Sequence, residues 1–308
     1  MDVTSIGDIN VDIVTSNIQD FPERDAQEII NEIHISSGGC AANFAKASAR
    51  LGLKTRFIGK LGKDILGDFV RKELGIENLD LKISTGTKTG VTIAITFLDH
   101  SRSFLTYPGS NSELTIEDID FDLIQGGYVH IASFFLQGLR NDTKRILDYA
   151  HENGILTSFD TGFDPSGWSK KDVTLVRKIL SDVDIFFPNL DEARAITGCD
   201  DCDEKEDVCE QLLLMGPEII ALKMGSKGSY ICTEDERISI PPTKLDVIDT
   251  TGAGDVFDAS FIFGHSKGWG LKKIGRFSNT AAAISTTGFG TENYPNLREV
   301  LSLSNLSI

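Results

Sequence analysis

The chain has 308 residues, of which 40% are hydrophobic and 25% charged, an ordinary composition for a soluble globular protein with a sizeable core. Its 46 acidic residues outnumber its 30 basic ones, and the net charge of −16 argues against binding to nucleic acid or to an anionic membrane. The cysteine count is odd at five, and the sequence shows neither a basic leader nor a membrane-length apolar run, so we expect a cytoplasmic protein.

Short apolar strands alternate with amphipathic helices along most of the chain. In chain order, the predicted elements are strand 3–7, helix 39–51, strand 56–59, helix 65–74, strand 128–132, helix 141–153, strand 156–159, helix 172–181, strand 183–187, helix 204–215 and strand 219–222. Strands that are apolar throughout need cover on both faces. The alternation therefore predicts an α/β fold in which a mostly parallel central sheet has helices on both faces.

Residues 27–35 and 89–98 break this pattern, because they alternate apolar and polar positions. The second segment leads through a hairpin turn at 99–102 into a strand at 103–107. Such half-polar strands fit poorly into a sheet that is buried on both faces. We expect them to form a small antiparallel sheet, a lid over the carboxyl ends of the parallel strands. The lid strands are placed at about 9–36 and 88–108 of a single domain that spans 1–308.

The stretch Asp249-Thr250-Thr251-Gly252-Ala253-Gly254-Asp255 precedes an apolar, helix-like run at 256–264. Its small residues permit a tight turn whose N–H groups point the same way where a helix begins, and such a turn holds an anion. Asp255 is then placed to take a proton from an incoming hydroxyl group. The alternative is a plain loop before a helix, with Asp255 suiting the helix dipole. The pattern indicates phosphoryl transfer to an alcohol.

Two other segments carry groups that bind hydroxyls. Gly38 and Gly39 let a ligand approach the backbone closely, and Asn43 follows in the first turn of an Ala-rich helix. Asn10 and Asp12 lie two residues apart, so in an extended segment they face the same way and could grip vicinal hydroxyls. The alternatives are a flexible helix entry with a surface Asn, and an Asn and an Asp that merely form turns.

Asn189 and Glu192 begin a helix, and their spacing places them on one face, where they could order water around a phosphate-bound Mg²⁺. The spacing by itself favours a simple helix cap. Residues 223–228, Lys-Met-Gly-Ser-Lys-Gly, follow a strand and could lie along a nucleotide or form a plain glycine turn. The chain has no G-x-x-x-x-G-K-[ST] sequence, which excludes a P-loop enzyme.

Together these stretches resemble the ribokinase-like, or PfkB, family of carbohydrate and nucleoside kinases. The resemblance runs from Gly7 to about Gly290 and rests on two long motifs in the right order. The motif residues are Gly38, Gly39, Ala41, Asn43, Ala45, Gly52 and Gly62 for the first, and the stretch 249–255 with Ala259 for the second. Ser260 departs from the second motif, where the family usually has Gly or Ala, but it is small enough for close helix packing.

The resemblance implies a ribokinase-like fold that uses ATP and Mg²⁺, with Asp255 as the base for the substrate hydroxyl. It implies that the N–H groups of Gly252, Ala253 and Gly254 stabilise the transferring phosphoryl group. The residues implied for the sugar are Asn10, Asp12, Gly38, Gly39 and Asn43. Those implied for ATP are Asn189, Glu192, Lys223, Gly225, Gly228 and Asn279, with Glu192 reaching Mg²⁺ through water. Asp249 and Thr251 resemble the monovalent-cation site, for K⁺, of some members.

The sequence thus favours an ATP-dependent sugar kinase, and a nucleoside kinase on the same fold is the alternative. Phe134 and Phe135 could stack on a base, although Phe is also an ordinary core residue after a strand. A catalytically silent sugar- or nucleotide-binding protein is a third possibility, against which the intact Asp255 argues. Exposed lid strands often become dimer contacts, so we expect that any partner beyond the small-molecule substrate is a second copy bound through the lid.

Overall fold

The strands form two sheets in the computed structural model, which describes residues 1–99, 101–199 and 205–307. The large sheet consists of Val3–Gly7 (β1), Thr55–Gly62 (β4), Leu79–Gly86 (β5), Tyr128–Ala132 (β8), Leu156–Phe159 (β9), Ile185–Phe186 (β10), Ile219–Lys223 (β11), Ser229–Cys232 (β12) and Arg237–Ile240 (β13). The small sheet, which we call the lid, consists of Asn10–Thr15 (β2), Ile33–Gly38 (β3), Gly90–Thr96 (β6) and Arg102–Tyr107 (β7). The α-helices are Cys40–Arg50 (α1), Ile65–Glu73 (α2), Thr143–Glu152 (α3), Lys170–Leu180 (α4), Leu190–Thr197 (α5), Lys205–Leu213 (α6), Ala253–Ser266 (α7), Leu271–Ser285 (α8) and Leu297–Ser304 (α9).

The large sheet has the strand order β13-β12-β11-β10-β9-β8-β1-β4-β5. Neighbouring strands are parallel from β11 to β5, whereas β12 and β13 turn back antiparallel at one edge. Strands β1 and β8, in the interior of the sheet, are buried along their whole length. This arrangement confirms the predicted mostly parallel sheet.

Helices cover both faces of that sheet, as predicted. One core cluster joins the sheet to α3, α4, α5 and α6 through Ile146, Val176, Ile196 and Leu212. The other joins the opposite face to α1, α7, α8 and α9 through Phe44, Phe261, Phe277 and Val300. Burying one such side chain contributes about 1.5–3 kcal/mol. Helix α7 is buried from Asp255 to Gly264, so packing on all sides fixes the position of its N-terminal turn.

The lid has the strand order β3-β2-β6-β7. Two of its pairings are antiparallel, but β2 and β6 are parallel, so the expectation of a purely antiparallel sheet was wrong. The parallel pair arises because the chain leaves the lid after β3, crosses the large sheet at β4 and β5, and returns at β6. The small separate sheet itself confirms the prediction.

The element boundaries differ from the predictions in a few places. The strand expected at 27–35 begins only at Ile33, because its partner β2 ends at Thr15, which pairs with Ile33. Ile29, in the unpaired part, is 81% exposed. The strand expected at 183–187 is shortened to Ile185–Phe186. Strands β5, β12 and β13 were not predicted from the sequence.

Two predictions fall partly outside the described residues. The hairpin turn at 99–102 contains His100, and the helix expected at 204–215 starts at residue 204; neither residue is among those described. Over the ranges that are described, no helix combines the length and the apolar character needed to cross a membrane.

Candidate active site

The turn before α7 is tight and lies where a helix begins, as the sequence predicted. Gly252 is the N-cap of the helix, with φ 73° and ψ 0°, a left-handed conformation that glycine adopts readily. The first helical hydrogen bond runs from the Val256 N–H to the Gly252 carbonyl at 3.0 Å. The N–H groups of the preceding residues therefore lie at the positive end of the helix dipole. One of them, that of Ala253, donates to the Thr250 carbonyl at 3.3 Å and closes the turn.

Asp255 lies in the first turn of α7 and is only 6% exposed. The Asn43 side-chain amide of α1 donates to its carboxylate, with Nδ2 2.9 Å from Oδ2. Burial, and next the charge of Asp160, raise the pKa of Asp255 well above its usual range. A carboxylate with a raised pKa holds a proton more strongly, so this side chain is suited to accept one from a hydroxyl group.

The inner face of the lid brings Asn10 and Asp12 together. The Asn111 amide donates to Asn10 Oδ1 at 2.8 Å, which orients the Asn10 side chain. Asp12 is 7% exposed, and burial raises its pKa to about 7. A Cβ atom on Gly38 would lie 2.0 Å from the Asp12 carboxylate, so only glycine permits this close approach. Gly39, at φ 97°, has the Asp8 carbonyl 2.8 Å from the position of its missing Cβ.

Asn189 and Glu192 form the reciprocal helix cap that the spacing favoured. The Glu192 N–H donates to Asn189 Oδ1 at 2.9 Å, and the Asn189 N–H donates to Glu192 Oε2 at 2.8 Å. The same pair lines a cavity, and burial, followed by the charge of Asp160, raises the pKa of Glu192 to about 8. Capping therefore does not prevent these side chains from facing a ligand, although their role toward Mg²⁺ stays a prediction.

The cavity beside the α7 turn has a volume of about 540 Å³. All the residues predicted for ATP line it, namely Asn189, Glu192, Lys223, Gly225, Gly228 and Asn279. Ala253 and Gly254 form part of the same wall. The apolar lining of the cavity was not predicted from the sequence; it includes Leu245, Val247, Phe257, Ala282 and Ala283. No sequence motif identifies these residues, because isolated apolar side chains are common in any helix or loop.

Lys223 forms ion pairs with two buried carboxylates, Asp160 and Asp258, that were not identified from the sequence. Its Nζ lies 2.7 Å from Asp160 Oδ2 and 3.2 Å from Asp258 Oδ2. Burial opposes ionisation of Asp160, but the adjacent Lys223 ammonium lowers the pKa of Asp160 below its usual range. Burial raises the pKa of Asp258. The end of β11, the end of β9 and helix α7 are thereby tied together at the cavity.

Arg102, at the start of lid strand β7, reaches the loop in front of the α7 turn. Its Nη1 lies 3.1 Å from Asp249 Oδ1 and 2.7 Å from Thr251 Oγ1. Its Nη2 donates to Thr250 Oγ1. Arg102 was not identified from the sequence, because an arginine in a predicted hairpin turn is ordinarily a surface residue.

The arrangement places the N-terminal turn of α7 and the buried Asp255 carboxylate between a cavity and the polar lid, which fits the class of small-molecule kinases. Residues 1–297 match the model of the pfkB family of carbohydrate kinases. The chain belongs to the pfkB family of carbohydrate kinases.

Similar proteins extend over most of the chain. An uncharacterized sugar kinase of Archaeoglobus fulgidus is 32% identical over 253 residues, which cover 79% of this chain and 95% of that protein. A nucleoside kinase of Methanothermobacter thermautotrophicus is 27% identical over 305 residues, or 97% of this chain and 94% of that protein. An E. coli protein assigned as a ribokinase II, solved in complex with ATP and Mg²⁺, has a TM-score of 0.87 at 23% identity, with 99% of each chain covered. That last similarity establishes the ribokinase-like fold.

Proposed function

We propose that this protein transfers the γ-phosphoryl group of ATP to a primary hydroxyl group of a small sugar. The observation that carries the proposal is the 2.9 Å hydrogen bond between Asn43 and Asp255. This bond joins α1, which follows lid strand β3, to the first turn of α7. A sugar held by the lid would therefore present its hydroxyl group to Asp255. The sugar and nucleoside kinases among the relatives support the same reaction class.

The residues present fit a nucleotide with Mg²⁺. The cavity of about 540 Å³ has an apolar wall for a base and ends at the N–H groups of the α7 turn, where phosphates bind well. Asn189 and Glu192 would hold Mg²⁺ through water, since Mg²⁺ keeps several waters and binds few protein carboxylates. When bound, Mg²⁺ would neutralise charge on the phosphates. The E. coli structural neighbour carries both groups.

In the proposed reaction, the oxygen of the sugar hydroxyl attacks the γ-phosphorus of ATP while a carboxylate oxygen of Asp255 accepts the hydroxyl proton. The bond from the γ-phosphorus to the β-phosphate oxygen breaks, and ADP leaves. The N–H groups of Gly252 and Gly254 stabilise the charge on the transferring phosphoryl group, and that of Ala253 joins them when its 3.3 Å bond to Thr250 opens. The lid orients the sugar through Asn10 and Asp12. It also excludes water, which would otherwise compete with the sugar as acceptor.

We favour a sugar over a nucleoside because the sequence feature that pointed to a nucleoside is not available to a ligand. Phe134 and Phe135, which could have stacked on a base, are 1% and 2% exposed and belong to the hydrophobic core. Their rings pack edge-on against Phe159 and Trp168. The ordinary core interpretation of these two residues is therefore the better one, and the sequence feature that favoured a nucleoside carries no weight.

A turnover screen tests the proposal. With Mg-ATP, we expect ADP formation that depends on a pentose, a hexose or a keto-acid sugar, with kcat/KM at least about tenfold above that for any nucleoside. Product analysis would locate the phosphate on a primary hydroxyl. A nucleoside as the best acceptor would favour the nucleoside-kinase alternative. If no alcohol is phosphorylated, the silent binding protein becomes the better interpretation.

We also propose that a second copy of the chain covers the outer face of the lid. Ile35, Ile13, Ile93 and Leu105 lie opposite one another across all its strands. The two outermost, Ile35 and Leu105, are 54% and 59% exposed, so an apolar stripe remains open at both ends.

Light scattering should show a dimer for the wild type and a monomer for Ile35→Lys. Ile65→Lys, at an 85% exposed site on α2, is the control and should remain dimeric; a monomeric wild type would contradict the proposal.

A further inference from the structure

The carboxylate of Asp249 is buried, and both of its oxygens accept hydrogen bonds. It is 7% exposed. Its Oδ1 accepts from the Thr251 N–H at 2.9 Å, from Thr251 Oγ1 at 2.7 Å and from the Arg102 guanidinium at 3.1 Å. Its Oδ2 accepts from the Gly290 N–H at 2.8 Å. Every partner of this carboxylate is therefore a hydrogen-bond donor, and one of them carries a full positive charge.

This donor set does not fit the monovalent cation that the sequence resemblance suggested for Asp249 and Thr251. Such a cation needs several oxygen atoms with free lone pairs, whereas here Oδ1 already accepts from three donors and Oδ2 accepts from the Gly290 N–H. The Thr286 carbonyl, at the C-terminal end of α8, accepts two N–H groups, from Ile248 at 2.7 Å and from Asp249 at 3.1 Å. A cation at Asp249 would have to displace Arg102, a like charge at hydrogen-bond distance.

Arg102 differs from a bound ion because it belongs to the lid. Strand β7 is joined through β6 to β2, which carries Asn10 and Asp12. The guanidinium contacts Asp249, Thr250 and Thr251, the residues directly before Gly252. The strand arrangement therefore links the sugar-facing part of the lid to the loop that shapes the anion-binding turn.

The positive charge of Arg102 lies in an otherwise acidic part of the site. Asp249 lies close enough to Asp12 that its charge helps to raise the pKa of Asp12, after burial and the charge of Asp8. Asp255 is a further buried carboxylate, and its charge acts on Tyr294 together with those of Asp12 and Asp249. A polyphosphate entering this acidic region is repelled unless a positive charge offsets Asp249, and at short range such charges interact strongly.

We propose that the guanidinium of Arg102 takes the place of a monovalent cation, so that the kinase needs no K⁺ and receives this positive charge when the lid closes. The inference rests on the proposed kinase function. Arg102 is a positioning residue here, because it acts on the phosphoryl group through the 249–251 loop and not by direct contact.

The test compares the wild type with Arg102→Gln in KCl and in choline chloride at equal ionic strength. The acceptor is the best one from the turnover screen, and melting temperatures are measured in the same salts. We expect the wild type to be equally active and equally stable in both. Arg102→Gln should lose about 10–100-fold in kcat/KM in choline, since hydrogen bonds to charged groups are worth that much. Adding K⁺ or free guanidinium should raise the kcat/KM of Arg102→Gln at least about fivefold and should also raise its melting temperature.

Arg56→Gln is the matched control, because Arg56 also pairs with an aspartate, Asp80 at 2.8 Å, but on β4 away from the site. It should respond to neither cation, and Arg102→Lys should keep most of the activity in choline. A wild type that K⁺ activates several-fold would overturn the inference. So would an Arg102→Gln variant that is fully active, or one that no cation rescues. A wild type that phosphorylates no acceptor contradicts the proposed function, and the cation-dependent melting temperature of Arg102→Gln then decides the inference on its own.

Discussion

Replacing Asp255 by Asn is expected to lower kcat by about 10³-fold while leaving ATP binding and the fold intact, since a general base contributes about 10²–10⁴-fold. Asn has the same shape, and its amide oxygen can still accept the 2.9 Å hydrogen bond from Asn43. It cannot take a proton from the sugar. Stability should be unchanged or higher, because the variant removes a carboxyl group whose pKa burial has raised. Steady-state kinetics, calorimetric ATP binding and thermal unfolding measure these quantities.

Asp68→Asn provides the matched control. Asp68 also lies in the first turn of a helix, α2, but is exposed and far from the cavity. If Asp255 served only the helix dipole, the two variants would behave alike, with a small loss of stability of about 0.3–1 kcal/mol and unchanged turnover. Turnover of Asp255→Asn within a few-fold of the wild type would remove Asp255 from the base role.

Gly252→Ala is the second change with a large expected effect. A Cβ atom at this position would lie 2.0 Å from the Tyr294 hydroxyl oxygen and 3.4 Å from Asn43 Nδ2. Tyr294 is 1% exposed and cannot move aside easily. The turn must shift, and its N–H groups with it, so kcat should fall about 10²–10³-fold, as for loss of a donor that stabilises the transition state. The free energy of unfolding should fall by about 1–3 kcal/mol.

Gly268→Ala is the control that separates the steric clash with Tyr294 from the cost of the left-handed backbone conformation. Gly268 has a similar φ of 66°, but no atom lies within 4 Å of its missing Cβ. It should therefore show only the cost of a left-handed conformation, about 1 kcal/mol, and keep full activity. If Gly252→Ala were as active as Gly268→Ala, the turn would not be the anion-binding element.

The large sheet could be predicted because its central strands are short apolar runs between helices with clear periodicity. The boundaries predicted for β1, β8 and β9 agree with the structure. Strands β12 and β13 were missed because they form an antiparallel edge, where the regular strand-helix alternation stops. The prediction for 27–35 failed because local alternation does not reveal how far the partner strand extends.

The residues of the site also fall into two groups, those that could be identified from the sequence and those that could not. Residues in the glycine-containing segments, such as Gly38 and Gly252, could be identified because their backbone conformation or close contacts exclude side chains. Asp160, Asp258 and Arg102 could not. Each meets its partner across a long sequence separation or inside an apolar helix, and single-sequence reasoning has no measure of such proximity. Asn189 and Glu192 offered two interpretations, and capping is the one that the structure contains.

The position of β1 has a consequence for how the chain is made. Val3–Gly7 pairs with β4 on one side and with β8, at Tyr128–Ala132, on the other. During synthesis its first edge can be covered once residue 62 has left the ribosome, but the second stays open until residue 132 follows. Pairings between distant segments form slowly, and an open strand edge invites association with other chains. Strand β1 therefore keeps an open edge while residues 63–132 are synthesised, and nascent chains of that length carry a risk of aggregation.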